Sequence, residues 1–261
     1  MKKSSLGAWI AVVIAALYFL MPLVGAAEFS LRMIRGIYSF EAYKVVFSTV
    51  FEDTFLFSSV IALLTIAVSV LIVVPTVYFV QLRLRRLRPI VEFITLLPLV
   101  IPAIVLVFGY IRLYNSSSWL PLTGSVMATN ILLLFAYVAL ALPYMYRAID
   151  SGMRTVDVRT LTEAAESLGA SLPTVIFHII LPNVRSAVLS GAFLTFAIVL
   201  GEFTMANLLN RPVFGVYLVD ANEHSPYEAA ALSLIAFLIT WACMGLMQYF
   251  GRDRRAAKPG T

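Results

Sequence analysis

The chain has little charge and almost none of the residues that build reactive centres. Only 13% of its 261 residues are charged, against 61% hydrophobic. A soluble fold of this length needs far more polar surface, so a water-soluble globular class is excluded. There is one cysteine, Cys243, which rules out an intramolecular disulfide framework and reads as a small core residue. No Cys/His cluster has metal-ligand spacing. No GxxxxGK[ST] loop occurs, so the chain carries no phosphate cradle of its own. Energy for any work must come from a partner or from an ion gradient.

What is present is a set of long apolar runs, at about 9–27, 54–80, 90–114, 124–146, 184–208 and 228–250. They are continuous rather than alternating, which excludes a β-barrel. The class is an all-α polytopic membrane protein with six transmembrane helices. Lys2 and Lys3 precede the first run as in a signal peptide. That run continues to Ala27 without a cleavage site, so it reads as a retained span. Pro98 and Pro102 interrupt the third run. Such breaks are tolerated where neighbours or water satisfy the freed carbonyls, which argues for an interior helix near a pore. A short helix is expected around 39–49, and 209–227 reads as an outer loop. No internal repeat or separate soluble domain is visible, so 1–261 is read as one domain.

The formal net charge is +5. Of the 19 Lys and Arg, only Arg32, Arg35, Lys44, Arg112 and Arg211 fall on one side of the six-span arrangement. The rest fall on the other. This bias places both termini, and the loop between spans four and five, in the cytoplasm. An even number of spans requires the two termini to share a side. Arg83, Arg85, Arg86 and Arg88 form a tight inside marker that can also touch anionic lipid. They lack a larger basic surface, so nucleic acid is not a partner.

The longest moderately polar interval is 163–182, reading EAAESLGASLPTVIFHIILP within a coupling region at 157–182. Asp157 or Thr160 can cap a helix, and Thr160 with Glu163 has capping-box spacing. Ala164, Ala165, Ser167 and Leu168 allow a short helix, with Ala164, Ala165 and Leu168 on one side. Gly169 suits the C′ position that ends it. Ser171 can start a second short helix with Pro173 in its first turn, and Pro182 marks the next boundary. His178, within the second helix, reads as a packing residue. The expected shape is a compact knob.

The spacing of Glu163, Ala164, Ala165, Gly169, Ile179, Leu181 and Pro182 resembles the cytoplasmic coupling loop of binding-protein-dependent ABC importer permeases. The resemblance implies a non-catalytic subunit in a bacterial inner membrane. It implies that Glu163, Ala164, Ala165, Leu168, Gly169, Leu181 and Pro182 engage a partner ATPase. Two copies of that ATPase would use ATP and Mg, and this chain would bind no cofactor. A second homologous permease, or a second copy of this chain, would complete the pathway. A periplasmic substrate-binding protein would deliver a small molecule. Within the family, the chain looks most like the spermidine and putrescine branch. Related branches handle ferric iron, phosphonates and other small solutes.

Glu202 is a carboxylate in an apolar run, costly unless paired or wet. Gly191, Thr195, Ile198 and Glu202 share one helical side, with Asn207 beyond. Two readings stand. The stripe lines a translocation path suited to a cation, or Glu202 fixes the bundle by a bond to another helix. Few cations of this chain lie at that depth, so a salt-bridge mate would come from a partner subunit. Among rivals, a secondary transporter would need paired broken helices. A membrane enzyme would need more than Glu92, Glu202 and His178 at different depths. A purely structural subunit leaves the loop spacing without a purpose.

Overall fold

The computed structural model describes residues 3–251. Lys2 and the basic tail with Arg252, Arg254, Arg255 and Lys258 lie outside them. The described residues form helices and turns, with no strand among them. In chain order the helices are α1 (Lys3–Ser30), α2 (Thr49–Leu82), α3 (Arg88–Val100), α4 (Ala103–Leu113) and α5 (Val126–Arg154). Then come α6 (Val158–Ser167), α7 (Leu172–Asn183), α8 (Arg185–Leu200), α9 (Thr204–Leu208), α10 (Phe214–His224) and α11 (Pro226–Gly251). A 3-10 turn at Glu41–Phe47 falls where a short helix was expected.

Four helices are long and apolar enough to cross a membrane: Gly7–Ser30 of α1, α2, α5 and Pro226–Gly245 of α11. Two bent pairs raise the number to as many as six. Arg85–Val100 meets α4 at 102°, and α7 meets α8 at 80°. The first bend has a local cause. Ile101 is extended at ψ 122°, the conformation that Pro102 imposes on the residue before it. Pro98 stays inside α3, as Pro22, Pro75 and Pro143 stay inside α1, α2 and α5. One of the two prolines in the third run therefore breaks it, not both. The fifth run also ends early. α8 stops at Leu200, and Gly201–Phe203 separates it from the short α9. The stretch read as an outer loop contains α10.

The chain divides into two compact units. One comprises 3–54 and 217–241. In it the Phe29 and Tyr227 rings stack at 4.6 Å, and the Ser30 and Tyr43 hydroxyls bond at 2.8 Å. Residues 7–22 of α1 are exposed. The other unit comprises 55–216 and the described residues from 242 onward. Its core joins Val73, Val74, Val77 and Tyr78 of α2 to Met145, Ile149 and Met153 of α5, and to Val175, Ile176 and Ile180 of α7.

α5 packs most extensively against α8, and two glycines allow the approach. A Cβ on Gly152 would lie 2.3 Å from the Ala187 Cβ, and one on Gly191 would lie 2.8 Å from the Met145 sulfur. Small residues at a helix crossing let backbones come close, which is how membrane helices gain dispersion energy. Gly152→Ala is therefore expected to destabilise the chain by about 1–3 kcal/mol through overpacking. Gly25→Ala, which meets nothing within 4 Å, serves as the control. Thermal unfolding in detergent reads the difference, and equal melting temperatures would contradict the close crossing.

Candidate functional site

The sequence between α5 and α8 folds into a knob with a buried underside and an exposed tip. α5 closes with the Thr155 hydroxyl donating to the Gly152 carbonyl at 2.8 Å. Asp157 then caps α6. One carboxylate oxygen accepts from the Thr160 N–H at 3.1 Å and the other from the Thr160 hydroxyl at 2.7 Å. The hydroxyl bond, then the backbone bond, hold the Asp157 carboxyl below its ordinary range. The Thr160–Glu163 capping box does not form, because Asp157 takes the cap and leaves Thr160 inside the helix. Glu163 accepts instead from the Arg159 guanidinium at 2.8 Å.

Val158, Thr162 and Ala165 form the buried side of α6. Glu163, Ala164, Glu166, Ser167 and Leu168 are exposed. Ala164, Ala165 and Leu168 therefore do not share one face. Ala165 points into the core, and Leu168 stands 89% exposed. Gly169 follows in the left-handed region at φ +81°. Its N–H donates to the Glu166 carbonyl at 2.9 Å, and the Ala170 N–H donates to the Ala165 carbonyl at 3.0 Å. These are the two bonds of a Schellman closure. Nothing lies within 4 Å of a Cβ on Gly169, so glycine is needed there for its φ, not for space.

Ser171 precedes α7, with Pro173 in the first turn. α7 is not a uniform α-helix. Val175–Ile180 winds as a π-helix and buries Val175, Ile176 and Ile180. Leu181 is half-buried, and His178 and Pro182 are exposed. The Asn183 amide donates to the Ile179 carbonyl at 2.7 Å. Across the knob, Arg83 bonds Glu166 at 3.2 Å. Leu82, Arg83, Arg85, Arg159, Thr162, Glu163 and Glu166 border a 400 Å³ cleft along α6.

Beside the knob lies an ionic node that the sequence pattern did not point to. Asp150 accepts from Arg88 of α3 at 3.0 Å, from Arg154 of α5 at 2.6 Å and from the Gln81 amide of α2 at 3.0 Å. Arg88 also donates to Glu92 at 2.7 Å. The signal that could have found it is the i,i+4 pair of Asp150 and Arg154 at the end of a long apolar helix.

The stripe on α8 lies elsewhere. Gly191 and Thr195 are buried, Gly191 against Met145 and Ala148 of α5. Ile198 and Glu202 are partly buried, and Asn207 is exposed. Glu202 sits in the break before α9 and caps it. Its carboxylate accepts from the Met205 N–H at 2.8 Å, the Ala206 N–H at 3.2 Å and the Tyr137 hydroxyl at 3.1 Å. The mate expected from a partner subunit is thus supplied by neutral donors of this chain. A Cβ on Gly215 would lie 2.4 Å from the Glu202 carbonyl oxygen, so the start of α10 is pressed against the same break.

Residues 74–255 match the model of the binding-protein-dependent transport system inner membrane component family. The match takes in well over half of the chain, including the knob and the break before α9, and the chain belongs to that family. It is 29% identical over 133 residues to the spermidine/putrescine transport system permease protein PotC of Escherichia coli, covering 49% of this chain and 50% of PotC. It is 29% identical over 164 residues to the molybdenum transport system permease protein ModB of Mycobacterium tuberculosis, covering 59% of this chain and 61% of ModB. The chain thus spans about half the length of the PotC relative it matches. A chain in the crystal structure of a bacterial alginate ABC transporter, in complex with an alginate pentasaccharide-bound periplasmic protein, superposes with a TM-score of 0.69. That superposition covers 99% of this chain and 98% of the other at 15% identity, which establishes a shared fold.

The Asp157 cap has a defined pH dependence. Its folded-state carboxyl is more acidic than the free one, so the stabilisation is present above about pH 4 and is lost as pH falls through the depressed value. The protection factors of the 158–167 amides, corrected for the intrinsic pH dependence of exchange, are expected to fall over that descent and to be low at all pH in Asp157→Ala. Unchanged protection would contradict the cap. Glu202→Ala frees two N–H groups at the start of α9 and is expected to cost about 1–3 kcal/mol. Glu202→Gln, which keeps an acceptor, should cost less in the same thermal unfolding assay. Equal costs would contradict the capping role.

Proposed function

We propose that the chain is the permease subunit of an ABC importer that moves a small solute across a bacterial inner membrane. The observation that carries this reading is the knob of α6 and α7. A solvent-facing tip at Leu168 and Gly169 stands on an underside continuous with the core of α2 and α5. Such an element can take a push from outside the bundle and pass it inward, because packed cores switch between arrangements and do not deform freely.

In this reading both bent pairs count as single spans, giving six, and both termini and the knob face the cytoplasm. Glu163, Ala164, Ala165, Leu168, Gly169, Leu181 and Pro182 form the region that two ATPase copies grip. Leu168 is the apolar anchor. Covering it would add about 2 kcal/mol of burial that the isolated chain forgoes. Ala165 contributes from beneath by holding α6 to the core. ATP and Mg belong to the partner, which supplies the hydrolysis. A second permease, or a second copy of this chain, completes the path, and an external binding protein delivers the solute. Lipid covers the remaining apolar faces. Thr195, Ile198, Glu202 and Asn207 stay candidates for the path.

A polyamine is the first substrate reading, supported by the likeness to PotC. A molybdate-type oxyanion is the second, supported by the likeness to ModB. Glu202 no longer favours the cation, because its carboxylate already holds three donors.

Two measurements test this. The tagged chain, extracted in mild detergent, is expected to carry an ATPase with it. Recovery with no ATPase would overturn the reading. In the reconstituted complex with its binding protein, spermidine is expected to stimulate ATP hydrolysis and molybdate not. The reverse result would move the assignment to the oxyanion. Gly169→Val should lower stimulated hydrolysis by roughly tenfold or more, since a β-branched residue at positive φ costs at least 1–2 kcal/mol.

A further inference from the structure

Among the described residues, Asp150 is the only charged residue that is buried. A carboxylate out of water is stable only when paired and hydrogen-bonded. Here the partners come from three helices: Gln81 of α2, Arg88 of α3 and Arg154 of α5 itself. The node stands at the end of α5, and only Thr155–Asp157 separates Arg154 from α6.

α3 packs along α5, with Val91 against the core. Thr95 is its one buried residue, and the Thr95 hydroxyl bonds within the helix, to the Val91 and Glu92 carbonyls. The Arg88–Asp150 pair is the ionic tie between α3 and α5, added to that packing, and Glu92 orients the arginine from the next turn. Two clefts flank the node. One of 360 Å³ is bordered by Gln81, Arg85, Arg88 and Arg154. The other, of 240 Å³, is bordered by Glu92, Thr95, Tyr146, Arg147 and Asp150.

We infer that Asp150, through Arg88, is the positioning residue that makes α3 follow the movement of α6. The inference rests on the reading of α6 and α7 as the coupling loop. A push on α6 reaches the end of α5 through three residues. The charge pair then keeps α3 in register, because separating the pair would leave a buried charge short of a partner. α3 leads directly into the bend at Ile101 and Pro102, so its displacement changes the angle to α4.

The test uses the full chain with Cys243→Ala and spin labels at Ile90→Cys on α3 and Ser167→Cys on α6, both exposed positions. It is measured alone in lipid nanodiscs and in complex with its co-purified ATPase, trapped with ATP and vanadate. With the tie intact, one narrow Ile90–Ser167 distance is expected before and after trapping. Arg88→Gln is the decisive variant, since Asp150 keeps Arg154 and the fold is retained. In the trapped complex it is expected to shift the ratio of parent-distance to displaced molecules by about tenfold, within the range one coupling contact supplies. Arg88→Lys, which keeps the charge, is expected to restore the parent distance. If Arg88→Gln lowers the melting temperature but leaves the trapped distance unchanged, the node is only a structural pin and the inference is overturned. The nanodisc sample separates the two levels. Broadening there by Arg88→Gln, with the distance from Ser167→Cys to a third label at the exposed Ser190→Cys of α8 unchanged by trapping in the parent complex, supports the tie and contradicts the coupling reading.

Discussion

The burial of Val158, Thr162 and Ala165 beneath α6 is the constraint on which the knob depends. Val158 is 4% exposed, and its transfer from water is worth about 2 kcal/mol. The Arg83–Glu166 bridge across the same element is half-exposed, and such pairs contribute under about 1 kcal/mol. Apolar packing therefore holds α6 to the bundle, and the surface charges trim its orientation. The same burial leaves the opposite face free. Leu168 and the Gly169 turn project from a helix that cannot roll without dragging Met153, Ile176 and Val184 with it.

Much of this was legible in the sequence because the signals were local. Gly169 closes a short helix by a left-handed turn, and few other residues can. Pro102 forces an extended residue before it, so the third run had to bend. Both effects act within a few bonds and need no tertiary knowledge. The capping box was a local signal too, and it failed because Asp157 offered a competing cap one turn earlier. What was not legible is tertiary. The π-helix at Val175–Ile180 arises from how α7 seats three apolar side chains in the core, and its sequence reads as an ordinary apolar helix. Two of the three partners of Asp150, Gln81 and Arg88, lie more than sixty residues away on two other helices. Arg83 to Arg88 read as a charge marker, and nothing in that run says that Arg88 alone turns inward to the node.

Glu202 shows the same limit from the other side. In the sequence it is a lone acid in an apolar run, and a helix through 184–208 would point it at a pathway or a partner. The break at Gly201–Phe203 changes its chemistry. The carboxylate turns to the first N–H groups of α9 and to Tyr137, and the free charge that suggested a cation is engaged. Glu202 then gives no preference for a cation.

The most direct measurement of the proposed coupling is a photocrosslink from the tip of the knob in living cells. A benzophenone amino acid replaces Leu168, the cells are irradiated, and the adduct is identified by mass spectrometry. A covalent adduct to a nucleotide-hydrolysing subunit is the predicted result. An adduct to lipid alone, or to a protein of the outer face, would contradict it.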